Sequence, residues 1–278
     1  MDTRINSIRR QFNRSAEGSY DSHALVQRSM AGRLAKSLHG WMDESEADGG
    51  TILEIGCGTG ILTELLLNGW PCSSITALDI APEMIEAAEQ RVSSFGQSAR
   101  VRFLPADVET WAAEAPPASF NLIVSNACFQ WLRNPKETLG FLRRLLRPGG
   151  MLAFTTFGPD TFSELHESFA EAYRAGGMEP QRHGLSFQPS AQWQIMLREA
   201  GFRSIHFDRS IEQERHASVR DFLLSVKAVG ASTSEAASRG LGSRRLFAEM
   251  FKKYEDKFSI PGGVAASYEV ILIQAISD

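Results

Sequence analysis

The sequence predicts an α/β fold built on a mostly parallel sheet with helices on both faces. Short apolar runs alternate with helical patterns through the first half of the chain, at the spacing of βαβ units. A glycine-rich turn, Gly56-Cys57-Gly58-Thr59-Gly60, joins the first run to the first helical pattern, which is where such sheets bind ligands. Bulk composition agrees with this reading. A chain of 278 residues with 43% hydrophobic and 22% charged residues can bury one sizeable core.

In order, TILEIG (51–56) is a buried strand and ILTELLLNG (61–69) the helix after it. SITALDI (74–80) is a second strand, followed by a helix over 81–96 whose Pro82 suits a first turn. VRFLPADV (101–108) and FNLIVSN (120–126) are the third and fourth strands. A helix over 135–146, a turn at RPGG (147–150) and a fifth strand over 151–158 follow. The second half departs from this rhythm, with helices over 161–177, 190–202, 218–231 and 243–258 and strands over 204–214 and 268–276. The helices at 161–177 and 218–258 exceed what a minimal sheet needs and read as a cap over its active edge. The expectation is a single domain, 1–278, with lid helices in 1–45 and a cofactor-binding core in 50–158. Cap insertions at 159–189 and 215–262, and segments 190–214 and 263–278 completing the sheet, make up the rest.

Several classes are excluded early. No apolar run approaches bilayer length and the N-terminus carries arginines without an apolar signal core, so a cytoplasmic protein with no membrane partner is expected. Cys57, Cys72 and Cys128 are scattered, which argues against a disulfide framework and against a metal site. A net charge of −4 argues against nucleic acid as a partner. Basic residues nonetheless cluster at Arg4, Arg9, Arg10 and Arg14, and again at Arg239, Arg244, Arg245, Lys252, Lys253 and Lys257. Solvated helix faces are the plain reading of both clusters; a docking surface for an acidic partner is the sharper one.

The glycine turn narrows the ligand. A dinucleotide fingerprint needs Gly or Ala where this chain has Ile61, and the Gly-Lys-Ser/Thr of a phosphate loop is absent. Asp79, at the end of the second strand, is placed to accept from ribose hydroxyls, and Asp107, at the end of the third, to meet an adenine amino group. Three successive strand ends of this kind fit an adenosine bearing a small zwitterionic tail, which needs close backbone approach more than a phosphate cradle.

The segments LEIGCGTG, ALDIAPEM and LPADVE, with SNACFQWL and LLRPGG, resemble class I S-adenosylmethionine-dependent methyltransferases over roughly residues 50–158. The resemblance implies a Rossmann-like sheet, mostly parallel, of seven strands with an antiparallel last strand, plus a helical cap. It implies S-adenosyl-L-methionine as cofactor, held by Glu54, Gly56, Cys57, Gly58, Gly60, Asp79, Ile80, Met84, Asp107, Val108 and Asn126. Outside that core, FNRSAEGSYDSHALVQ (12–27), TTFGPDTFSELHESF, VKAVGA (226–231) and SYEVILIQAI (267–276) resemble the malonyl-acyl-carrier-protein O-methyltransferases of biotin synthesis. That implies methylation of the free carboxylate of a malonyl thioester, with acyl carrier protein (or coenzyme A) as the partner that bears it. The alternatives are a methyltransferase for another small acid such as aconitate, or an N- or C-methylating enzyme. A carboxylic acid with a pKa near ~4 is already ionised, so the first reading requires no general base.

On that reading Tyr20, in a segment able to fold over the cofactor, is the catalytic candidate, donating a hydrogen bond to the substrate carboxylate. His23 and Gln27 follow at helical spacing; Gln130 and Trp131 read as a wall beside the methyl; His166 sits in the cap. Lys227 and Arg144 are candidates for neutralising the malonyl charge, and the basic clusters for meeting the acidic carrier.

Overall fold

The computed structural model describes residues 3–16, 20–39, 50–94, 96, 98–230 and 241–277. The apolar run Thr51–Ile55 forms β1 at the middle of the sheet. On one side it pairs in parallel with β2 (Ser74–Asp79), which pairs with β3 (Val101–Pro105). On the other side stand β4 (Phe120–Asn126) and β5 (Leu146–Phe157), also parallel. Then come β6 (Phe202–His216), a two-residue β7 (Ser259–Ile260) and β8 (Gly263–Ser277). The order is β3-β2-β1-β4-β5-β8-β6, with β8 antiparallel to both neighbours and β7 attached to β8. The seven strands of this path, with an antiparallel last one, are what the sequence led us to expect, and β7 makes an eighth. The order reverses between β1 and β4, so a crevice opens beyond their carboxyl ends.

The helices in chain order are α1 (Thr3–Ala16), α2 (Tyr20–His23), α3 (Leu25–Ser37), α4 (Ile61–Gly69), α5 (Pro82–Ser94) and α6 (Val108–Glu114). They continue with α7 (Pro135–Leu145), α8 (Ser163–Ala175), α9 (Ser190–Glu199), α10 (Val219–Ala228) and α11 (Leu241–Phe258). Successive strand residues face opposite sides, so Ile52 and Leu53 enter different cores. Ile52 packs with Leu34, Leu66 and Ala88 of α3, α4 and α5. Leu53 packs with Leu142 and Trp193 of α7 and α9, and Phe129 stacks on Phe154 there with ring centroids 4.2 Å apart. A third cluster, with Phe169, Phe222 and Tyr254, binds α8, α10 and α11 to the far ends of β5 and β8 as a cap. The edge strand β6 alternates half-buried and exposed residues, and Arg33 of α3 pairs with its Asp208 (2.8 Å) and Glu212 (3.3 Å). Charge on an exposed edge discourages pairing with another chain. Among the described residues no helix is long and apolar enough to cross a membrane.

The differences from the sequence reading are local. The third strand stops at Pro105, because the Asp107 side chain accepts from Glu109 N–H (3.0 Å) and starts α6, a helix too short to show a period. RPGG belongs to β5 through a register shift, with Leu146 opposite Phe120. β6 and β8 run on to pair His216 with Val264.

One backbone position carries the turn after β1. Gly60 has φ +84°, and a Cβ there would stand 3.1 Å from the Cα of Ala88 in α5. Gly60→Ala is therefore expected to lower stability by about 1–3 kcal/mol, read as a reduced urea midpoint at unchanged slope.

Candidate active site

The glycine turn is lashed to the end of β2. Gly56 and Cys57 N–H groups donate to the Leu78 carbonyl at 2.8 and 3.0 Å. Gly58 N–H donates to Asp79 Oδ2, and Ala81 N–H to Asp79 Oδ1, both at 2.9 Å. At Gly56 a Cβ would fall 2.5 Å from Cys128 Sγ; at Gly58 it would meet nothing within 4 Å, because that position opens into a cleft.

Four strand ends line the cleft: Ile55, Gly56 and Gly58 after β1; Asp79, Ile80 and Met84 after β2; Asp107, Val108 and Glu109 after β3; Asn126 and Cys128 after β4. Ile5, Ile8 and Phe12 of α1 and Tyr20 of α2 close it from above. A recess beside the turn is lined by Glu54, Cys57, Thr59, Gln27 and Asn126, again with Tyr20. A second chamber lies toward the cap, between Gln130, Trp131, Phe157, Phe162, Phe187, Val226 and Tyr268. Cleft and chamber share Phe12, Tyr20, Ala127 and Trp131, so Tyr20 lines all three spaces.

Tyr20 is held there by its neighbour. Asp21 Oδ1 accepts from Thr59 Oγ1 at 2.6 Å, and its other oxygen pairs with Arg91 of α5. Arg91 Nε also donates to the Thr59 carbonyl (2.8 Å) and Nη1 pairs with Glu64 (3.3 Å). The lid is thereby fixed to the glycine turn itself. Asn126 bridges in the same way, its Nδ2 donating to the Gln27 carbonyl (2.9 Å) and its Oδ1 accepting from Thr155 Oγ1 (2.7 Å). Gln130 donates to the Ala127 carbonyl (2.6 Å) and accepts from Thr156 (3.1 Å), and Phe12 meets Trp131 edge to face at 5.4 Å.

Burial sets the charge state of these groups. It pushes the Glu54 carboxyl up to about 8, with Asp79 adding to it and a hydrogen bond from Thr63 (2.6 Å) opposing. Asp79 is also raised by burial, against the backbone N–H groups that hold it. Burial, with Asp79 and Asp21 adding, moves the Tyr20 phenol above its ordinary range, so it stays a hydrogen-bond donor. Burial likewise drives the Cys57 thiol up and the Cys128 thiol to about 12, so neither is a nucleophile.

Not every candidate comes to the site. His23 is exposed at the end of α2. Lys227 is exposed on α10: helical phase turns Val226, not Lys227, into the chamber. Arg144 is exposed and its Nη2 caps the end of α6 through the Ala112 and Ala113 carbonyls at 2.7 and 3.0 Å. His166 lies outside the chamber walls, with burial lowering its pKa to about 4. Gly60 shapes the turn from below without lining the cleft. Asp107 lines it, yet one oxygen caps α6 and the other pairs with Arg133 at 3.2 Å. Sequence reading expected lid helices in 1–45 but named neither Ile5, Ile8 and Phe12, which follow helical spacing, nor Asp21, Arg91 and Arg133, which carry no local signal.

Because folding raises the Glu54 pKa, its protonated form is the stable one in the fold. Its contribution to stability is full below the ordinary carboxylate pKa and is lost as pH rises through about 8. The melting temperature should fall across that window, and Glu54→Gln should flatten the fall by several degrees, a difference read by differential scanning calorimetry.

A methyltransferase-domain family model matches residues 26–206. A malonyl-[acyl-carrier protein] O-methyltransferase of Paenibacillus sp. (strain JDR-2) is 59% identical over 276 residues, spanning 99% of this chain and 100% of that one. One of Brevibacillus brevis is 43% identical over 259 residues, spanning 93% and 92%. Among solved structures, the YcgJ protein of Bacillus subtilis superposes with a TM-score of 0.61 at 15% identity, covering 90% of this chain and 98% of that one. Haemonchus contortus phosphoethanolamine N-methyltransferase 2, in complex with S-adenosyl-L-methionine, gives 0.53 at 19% identity, covering 88% and 52%. These two share the fold. The full-length identities go further: the chain belongs to the malonyl-[acyl-carrier protein] O-methyltransferase family.

Proposed function

We propose that the protein methylates the free carboxylate of a malonyl thioester carried by acyl carrier protein, with S-adenosyl-L-methionine as cofactor and in the cytoplasm. The observation that carries this reading is Tyr20, a protonated donor standing where the cofactor cleft meets an apolar second chamber. The cleft suits the cofactor. Gly58 leaves open space on its floor, and Glu54 and Asp79 are carboxyl groups with neutral hydrogen-bond partners, whose ionised forms a cationic ligand would favour. When bound, the cofactor supplies an electrophilic methyl group on a positively charged sulfur.

The chain's own residues do the rest. Asp79 would hold the ribose, Ile80, Met84, Asp107 and Val108 would surround the adenine, and Glu54 and Asn126 would receive the amino-acid tail. Tyr20 donates to one carboxylate oxygen and leaves the other to attack. Phe12 and Trp131 close the junction against water, and alignment of this kind supplies as much as ~7–11 kcal/mol of a barrier. A base is unnecessary, and among the described residues no histidine lines cleft or chamber. A methyltransferase for another acid such as aconitate, or for nitrogen or carbon, is not favoured: relatives at 59% and 43% identity bear the malonyl-carrier name.

Of the basic segment 239–257 expected to form the docking face, Arg244, Arg245 and Lys252 are exposed. Arg239 lies outside the described residues, Lys257 is engaged by Glu167 and Glu171, and Lys253 pairs with Glu249 (3.7 Å). Exposed Arg10 and Arg14 lie on α1, which gives Phe12 to the chamber, and exposed Lys227 lies on α10, which gives it Val226. We place the acidic carrier there.

Incubation of malonyl-carrier protein with enzyme and cofactor should add one methyl group by mass spectrometry; no gain would overturn the reading. Tyr20→Phe should lower kcat/KM by roughly 10–100-fold with the fold intact. Replacing Arg10 and Arg14 together with Glu should cut turnover of malonyl-carrier protein about 10-fold and leave malonyl-pantetheine nearly unchanged. Equal loss on both substrates would remove α1 from the docking face.

A further inference from the structure

We propose that the chain makes binding of the acyl carboxylate depend on the positive charge of its cofactor, because the junction where the two meet is built from negative and neutral groups. The inference rests on the function proposed above. Glu54 accepts from Thr63 Oγ1, and Asp79 from the N–H groups of Gly58 and Ala81, so both are held by neutral partners at 2.6–2.9 Å. The arginines around the cleft are paired with acids, Arg133 on the cleft wall itself. Arg91 pairs with Asp21 and Glu64, and Arg133 with Asp107 and Glu109. Beyond Tyr20 the chamber wall is largely aromatic and aliphatic, and its polar groups, Gln27, Gln130 and Thr161, are uncharged. Among the described residues neither Lys nor Arg lines it.

An acyl carboxylate approaching Tyr20 in the free protein therefore leaves water for apolar space and meets acidic groups behind the hydroxyl, a protonated Glu54 and an Asp79 with only neutral partners. Hydroxyl and amide donors offset part of that cost, but a buried anion without a counter-charge remains unfavourable. Burial, with Asp79 and Asp21 adding, keeps the Tyr20 phenol protonated. A cationic cofactor held beside these carboxyl groups would supply the missing counter-charge. In the transfer, the carboxylate lone pair forms the new O–C bond while the pair of the broken C–S bond stays on sulfur. Both charges vanish and no proton moves. The attraction that admitted the acid is then gone, which favours release of the neutral ester. Such coupling is reciprocal: the acid must tighten binding of the cationic cofactor by the same factor that the cofactor tightens binding of the acid.

Two cofactor analogues that cannot react test this by calorimetry. Adenosylhomocysteine is neutral at the reacting position, and sinefungin carries an ammonium there. Malonyl-pantetheine, which bypasses carrier docking, should bind the sinefungin complex on the order of 10–100-fold more tightly than the adenosylhomocysteine complex. Its methyl ester should bind both within about twofold, since it has no charge to pair. Equal malonyl affinity in the two complexes, or tightest binding to the free protein, would overturn the inference and leave the proposed reaction standing. Malonyl-pantetheine that bound neither complex and gained no methyl group with enzyme and S-adenosylmethionine would overturn both.

Discussion

The arrangement depends on the end of β2 holding the turn after β1. Two N–H groups of the turn are spent on the Leu78 carbonyl and a third on the Asp79 side chain. Donors used in this way cannot cradle a phosphate, which is why a glycine-rich turn here serves a ligand of another kind. The same turn carries Thr59, and through Thr59 and Arg91 it holds Asp21. Lid and floor are thus parts of one hydrogen-bonded assembly, and the position of Tyr20 follows from the backbone of the turn.

Carboxylates buried against neutral partners cost stability, and most folds avoid them. Glu54 and Asp79 stand at the crevice where the sheet order reverses, the place in an open α/β sheet where a ligand can offset that cost. The cap solves a different problem. Its aromatic residues, Phe157, Phe162 and Phe187 among them, wall the chamber with apolar surface and add no charge.

Much of this was legible in the sequence because it is local. The apolar run at 51–55, the glycines after it and the acid closing the second strand are contiguous motifs, and the strands that they predict form a parallel ladder. What escaped reading is not local. Asp21 and Arg91 are 70 residues apart, and nothing in either segment announces the other. Lys227 was singled out for its charge, yet helical phase gives the chamber to Val226 and Val229 and leaves Lys227 exposed. Arg144 drew attention for the same reason and is taken up by two carbonyls at the end of α6. Asp107 shows the remaining difficulty: a residue at a strand end can face the ligand and cap a helix together, and sequence does not say which oxygen does which.

The placement of β8 has a consequence for how the protein is made. β8 lies between β5 and β6 and joins them, and its Gln274 reaches back to Ser37 of α3 at 3.1 Å. It is synthesised after every other element described here. Until it emerges, β6 has no neighbour to pair with, and β5 is an unprotected border of a half-built sheet. The ribosome therefore holds back the strand that closes the sheet, and the nascent chain stays adhesive until that strand is released.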